Sequence, residues 1–271
     1  MAKGISIHIG LNAVDPNHYG GWSGELNACE ADANDMALIA KSRGFQTTTI
    51  LTADASRDRI LTALRQAEAL SAGDILFVSY SGHGGQLPDL NADETDSLDE
   101  TWCLYDAELV DDELYVALGK VKAGVRILVL SDSCHSGSVI KNAALSAAFV
   151  DKKKPKYRAM PDDMCSRTYL LHKQFYDKIL KNPAHKKSKQ MFAASALLIS
   201  GCQDNQLSGD GPFNGVFTAQ LKRVWNGGKF SKDYLTFHKK ILKDMPLDQT
   251  PNFFTMGPAD PGFLSQSPFS I

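Results

Sequence analysis

Val125–Gly137, VRILVLSDSCHSG, is an apolar run that stops abruptly in aspartate, cysteine, histidine and glycine. Runs this rich in Val, Ile and Leu, without polar alternation, belong to strands buried on both faces, the kind found in parallel sheets covered by helices. Asp74–Gln86, DILFVSYSGHGGQ, has the same form and ends in a glycine-rich turn around His83. ISIHIGL from Ile5, QTTTIL from Gln46 and QMFAASALLIS from Gln190 complete five predicted strands. Between and after them, Glu30–Arg43, Ser56–Ala72, Asp111–Lys122 and Gly137–Val150 carry apolar residues at helical spacing, and Gly44, Gly73 and Gly124 supply stop signals. Strands alternating with helices predict an α/β fold, a mainly parallel central sheet flanked by helices on both faces.

The 271 residues are 43% hydrophobic and 22% charged, enough to bury a sizeable core. A formal net charge of −2 offers no general attraction to nucleic acid or to an acidic membrane surface, so neither is an expected partner. Five scattered cysteines, an odd number without a C-x-x-C pair, suggest neither a disulfide framework nor a zinc site and fit a reducing compartment. No apolar stretch approaches the roughly 18 residues that span a bilayer, and the N-terminus reads directly as a strand, so the expected location is cytoplasmic. Two segments interrupt the α/β pattern. Residues 84–113 are acidic and loop-like; residues 151–190 are basic, with DKKKPKYR at the front and HKKSKQ at the back. The usual reading of both is a solvated surface. The basic one serves as a connector between a larger part, 1–150, and a smaller part, 191–271.

In an open parallel sheet, reactive groups gather beyond the carboxyl ends of the strands. Two predicted strands deliver unusual chemistry there: His83 among Gly82, Gly84 and Gly85, and Cys134 at the entry to a helix. A thiol is mostly protonated at neutral pH and needs a base or a helix dipole to become a nucleophile. His83 is the better base, because His135 adjoins Cys134 and adjacent residues point to opposite sides of an extended chain. The glycines leave backbone N–H groups open to an oxyanion. Asp132 projects from the same side as Cys134, where a carboxylate works against thiolate formation. It makes sense if the substrate carries a cation that the carboxylate orients.

YSGHGGQ followed about fifty residues later by DSCHSG resembles the metacaspases and their prokaryotic relatives, the orthocaspases. The resemblance extends over most of the chain: LNACEADANDM is similar to the family's segment before its first helix, DLNADETDSLDE to its acidic loop and VDDEL to its next helix start. LLISGCQDNQLSGD is similar to its small-subunit strand and loop, and QTPNF to its late strand. It implies a caspase-like fold and a cysteine endopeptidase that cuts after Arg or Lys. His83 and Cys134 stand at the catalytic dyad, and Gly84 and Cys134 at the oxyanion-hole donors. Cys29, Asp32, Ser81 and Asp132 stand at the pocket for the basic side chain. The resemblance implies peptide or protein substrates and a monomer. A protease of this kind meets its own basic segments, 152–158 and 186–189, which are expected to be exposed, so self-processing is expected as well.

In calcium-dependent members the ion is held by aspartates matching Asp99, Asp111 and Asp112 plus a fourth, where this chain has Lys141. Three like charges gathered together call for a cation, either calcium or the Lys141 ammonium; calcium is the expectation. Asp89, Asn91, Asp93 and Glu100 also match EF-hand positions, but Glu94 stands where the loop needs glycine and no helix enters it. Two other readings stay open: a non-catalytic caspase-like scaffold, and a legumain- or separase-like peptidase of other specificity.

Overall fold

The computed structural model describes residues 2–91, 97–134, 156–185, 192–202 and 208–271. Six strands form the central sheet: β1 (Gly4–Gly10), β2 (Gln46–Leu51), β3 (Ile75–Ser81), β7 (Arg126–Asp132), β9 (Ser195–Ser200) and β11 (Asn252–Met256). Their order is β11-β9-β7-β3-β1-β2, parallel except for β11, which runs antiparallel to β9. The α/β expectation with a mainly parallel sheet is met. β9 is shorter than QMFAASALLIS suggested, since pairing starts only at Ser195.

The two sheet faces follow from the strand period of two. Leu76, Val78 and Tyr80 of β3 and Ile127 and Val129 of β7 face one core, shared with Ile60 and Leu64 of α2 (Arg57–Arg65) and Leu118 of α3 (Asp111–Gly119). Ile75 and Phe77 with Leu128 and Leu130 face the other. There they meet Met36 and Ile39 of α1 (Cys29–Ser42), together with residues of three late helices: α6 (Val216–Trp225), α7 (Tyr234–Lys243) and α8 (Pro261–Ser265). The predicted stops Gly44, Gly73 and Gly124 have φ of +88°, +90° and +80°. Gly10 lets α1 begin against the end of β1, since a Cβ there would lie 2.3 Å from the Cys29 carbonyl oxygen. The segment containing Cys29 and Asp32 is thus the first turn of α1 and does not precede it.

Among its described residues, the acidic stretch is largely strand and not loop. β4 (Gly84–Pro88), β5 (Leu98–Cys103) and β6 (Glu108–Val110) build a three-stranded antiparallel sheet in which Asp99 and Glu108 are buried. The described part of the basic connector, 156–185, is also structured: β8 (Lys156–Tyr157) pairs with β10 (Gly209–Asp210), and α4 (Asp162–Leu171) and α5 (Lys173–Leu180) follow. The helix expected over Gly137–Val150, His135, Lys141, lysines 152–154 and the basic residues at 186–189 lie outside the described residues. Among the described residues, no helix is long and apolar enough to cross a membrane.

Candidate functional site

Parallel pairing brings the carboxyl ends of three strands together. β1 and β3 align Gly10 with Ser81, and β3 and β7 align Ser81 with Asp132. α1 starts against Gly10, so Cys29 and Asp32 face the same place. Ser81 Oγ donates to Asp32 Oδ2 at 2.8 Å. Burial pushes the Cys29 thiol up to about 12, against the pull of a nearby guanidinium.

That guanidinium belongs to the chain itself. Arg158, expected among exposed basic residues, has no solvent exposure. Its Nη1 reaches Asp132 Oδ2 at 2.8 Å and Ser81 Oγ at 2.8 Å; its Nη2 reaches Asp32 Oδ2 at 2.6 Å and Asp210 Oδ1 at 3.1 Å. Burial alone opposes the charge, but Asp132, Cys29, Asp32 and Asp210 push the pKa above the usual arginine range. The carboxylates outnumber the cation, and neutral donors make up the difference. Asp32 accepts from Asn214 Nδ2 at 2.8 Å and from Gly215 N at 3.1 and 3.2 Å. Asp132 accepts from Ser208 Oγ at 2.6 Å, Thr218 Oγ1 at 2.9 Å and Thr218 N at 3.3 Å. Gly215 and Thr218 open α6, whose N-terminus favours negative charge.

The backbone around Arg158 is extended and held on both sides. Before it, Lys156 and Tyr157 pair antiparallel with Asp210 and Gly209, and Arg158 N donates to Ser208 O at 3.1 Å. After it, Ala159 bridges Gly84, and Met160 N donates to Gly84 O at 2.7 Å. Between these anchors, the Arg158 carbonyl oxygen accepts from Gly84 N and Cys134 N, both at 3.0 Å. Ala159 packs with Cys134 and Cys202, while Met160 fills a buried niche with Val14, Tyr19 and Cys103. The Cys134 thiol is buried and takes the N–H of Ser208.

His83 lies buried beside the same bond. Its Nε2 is 2.8 Å from Gly24 O. A carbonyl only accepts, so the proton belongs to Nε2 and Nδ1 carries the lone pair. Nδ1 is buried with no hydrogen-bond partner. Burial lowers the His83 pKa to about 4, against the backbone of Gly24, the charge of Asp210 and the backbone of Ala159, all of which favour the proton. Trp22 packs on the ring, 4.7 Å between centroids, and Tyr80 OH donates to the His83 carbonyl at 2.7 Å, fixing the turn.

The structure therefore gathers Cys29, Asp32, Ser81 and Asp132 around the Arg158 guanidinium, and His83, Gly84 and Cys134 around the Arg158–Ala159 peptide bond. Asp132 points into the pocket, where its carboxylate faces the arginine. Sequence reasoning missed Asp210, Ser208, Asn214, Gly215, Trp22 and Arg158 itself. The first four lie in or just after SGD-G-P-F-N-G, whose composition signals only a turn.

Of the expected calcium ligands, Asp99 lies in β5, and Asp111 and Asp112 open α3. Among the described residues, no three His, Cys, Asp or Glu side chains form a group able to hold a metal. Asp112 accepts from Asn91 Nδ2 at 2.8 Å and lies 3.8 Å from His185 Nδ1, and the Asp111 carboxylate accepts from Asp112 N at 2.8 Å. Within the described residues, Asp99, Asp111 and Asp112 do not by themselves form such a group.

A family model of the caspase domain, peptidase C14, matches residues 13–261. Metacaspase-1 of Schizosaccharomyces pombe is 30% identical over 254 residues, covering 82% of this chain and 58% of that protein. Metacaspase-1 of Mycosarcoma maydis is 27% identical over 240 residues, covering 78% and 58%. The chain thus spans little more than half the length of these relatives. The crystal structure of a Geobacter sulfurreducens protein superposes with a TM-score of 0.88 at 56% identity, covering 99% of both chains. Caspase-1 of Spodoptera frugiperda, at 13% identity with a TM-score of 0.58 over 94% of this chain and 86% of that one, shares the fold. With the match running from before the first helix to beyond the last strand, the chain belongs to the caspase-domain family of cysteine peptidases, with metacaspases among its relatives.

Proposed function

We propose that this chain is a cysteine endopeptidase that cuts after arginine or lysine through Cys134 and His83, and that its own Arg158–Ala159 bond is its first substrate. One observation carries the reading: the Arg158 carbonyl lies between the N–H groups of Gly84 and Cys134 while its guanidinium fills an acidic pocket. That is the pose acyl transfer requires. The Cys134 thiol loses its proton to Nδ1 of His83, and the sulfur attacks the Arg158 carbonyl carbon. Charge developing on the carbonyl oxygen is met by two fixed N–H donors, each of the kind whose loss typically costs about 10²–10³ in rate. His83 returns the proton to the nitrogen of Ala159, the C–N bond breaks, and water then hydrolyses the thioester with His83 as base.

Arg158 in the pocket supports the basic-residue preference, because three carboxylates repel an acidic side chain. No step runs through a metal. Calcium activation, the expectation attached to Asp99, Asp111 and Asp112, is tested by measuring self-cleavage in chelator and in millimolar calcium; activation lost in Asp99→Ala supports it. Substrates are peptides or proteins with an exposed basic residue.

The peptidase reading is tested with fluorogenic peptides ending in Arg, Lys or Asp. We expect hydrolysis of the first two, none of the third, and none at all by Cys134→Ala or His83→Ala. Hydrolysis that survives Cys134→Ala overturns the reading. Silence toward every peptide, with an uncut chain, favours the non-catalytic scaffold.

A further inference from the structure

We infer that Asp210 is a specificity-determining residue, a third pocket carboxylate that reads the second terminal nitrogen of arginine and so sets a preference for arginine over lysine. The inference rests on the peptidase reading and deepens it. The two ends of the guanidinium fork are read separately: Nη1 by Asp132 and Ser81, Nη2 by Asp32 and Asp210. A lysine ammonium takes roughly the place of Cζ. It stops one bond, about 1.3 Å, short of both terminal nitrogens and brings no planar fork. It keeps the charge and loses the geometry that Asp210 completes.

Asp210 is built for this contact. Its side chain has no solvent exposure, and its second oxygen is pinned by Asn27 N at 2.8 Å, which aims Oδ1 at the guanidinium. Its own backbone lies in β10, the strand that pairs with the residues preceding the scissile bond. One residue therefore couples backbone register to side-chain recognition. A substrate seated out of register does not bring its arginine to Asp210.

The test is a double-mutant cycle read by self-cleavage, Arg158→Lys crossed with Asp210→Asn, because the intramolecular substrate reaches the pocket without competition. Asparagine keeps the shape and one acceptor but not the charge. We expect Arg158→Lys to slow self-cleavage at least tenfold in the parent chain and no more than threefold in the Asp210→Asn background. Equal slowing in both backgrounds overturns the inference. Should Asp210→Asn fail to fold, wild-type kcat/KM on matched Arg and Lys peptides decides: a preference for Arg of tenfold or more supports the assignment, and equal rates overturn it. Failure of the underlying peptidase reading looks different, since the wild type then shows no Cys134-dependent cleavage of its own chain or of either peptide.

Discussion

Arg158 places one positive charge among Asp32, Asp132 and Asp210 in a site closed to solvent. Removing one member of a buried charge cluster typically costs about 3–5 kcal/mol, because the partners are left uncompensated. Arg158→Ala, made in the uncleavable Cys134→Ala chain, is therefore expected to lose stability of that order in denaturant unfolding. A loss under 1 kcal/mol would mean the carboxylates do not depend on the arginine. Asp132→Asn is expected to weaken turnover of Arg peptides by more than tenfold, since a desolvated carboxylate facing a cation is worth several kcal/mol; an unchanged kcat/KM contradicts that. At this scale the sequence was unevenly legible. Asp132 stood out because a carboxylate near a thiol nucleophile needs a reason, and Asp32 only through the family resemblance. Arg158 did not: in DKKKPKYR nothing in the residue types tells the buried Arg158 from its neighbours, and burial here comes from pairing with carboxylates far away in the chain.

The helix α6 supplies the back wall of the pocket. Its first residues donate backbone N–H groups to Asp32 and Asp132, so both acids are held by a helix N-terminus as well as by the arginine. Gly215, just before it, has an ordinary φ of −57°; the need for glycine is steric. A Cβ there would lie 2.5 Å from Cζ, Nη1 and Nη2 of Arg158. Gly215→Ala is expected to fold normally yet slow self-cleavage and Arg-peptide hydrolysis about 10- to 100-fold, the cost of about 1–3 kcal/mol of overpacking. Near-normal rates with a normal melting curve would place the guanidinium elsewhere during turnover. Elements buried on both faces, such as β3 and β7, were readable from their continuous apolar runs. The sheet β4–β5–β6 was not, because its buried Asp99, Thr101 and Glu108 carry the composition of a solvated loop. Burial there depends on cross-strand pairing and not on hydrophobic pattern.

Across the whole molecule, buried titratable groups pull stability in opposite directions with pH. Burial lowers His8 to about 3 and His83 to about 4, and burial with the neighbouring His172 lowers His18 to about 4. Between those values and the unfolded value near 6.5, the unfolded chain binds more protons, so stability rises with pH over that window. Burial raises Glu108 to about 8, opposed by the Thr101 hydroxyl that donates to it at 2.6 Å. From about 4.5 to 8 the folded chain holds the extra proton, so this group makes stability fall as pH rises. The two trends predict a melting-temperature maximum on the mildly acidic side of neutrality in Cys134→Ala. Glu108→Gln is expected to flatten the alkaline side; a wild-type-like fall from pH 6 to 8 in that variant contradicts the assignment. The claim on which the account turns is that the bond seated in the site is the bond that is cut. Mass spectrometry and N-terminal sequencing of purified wild type, against Cys134→Ala, test it directly. The account predicts fragments 1–158 and 159–271 with a new N-terminus at Ala159, absent from Cys134→Ala. An intact wild type that hydrolyses Arg peptides, or a first cut at any other bond, would contradict it.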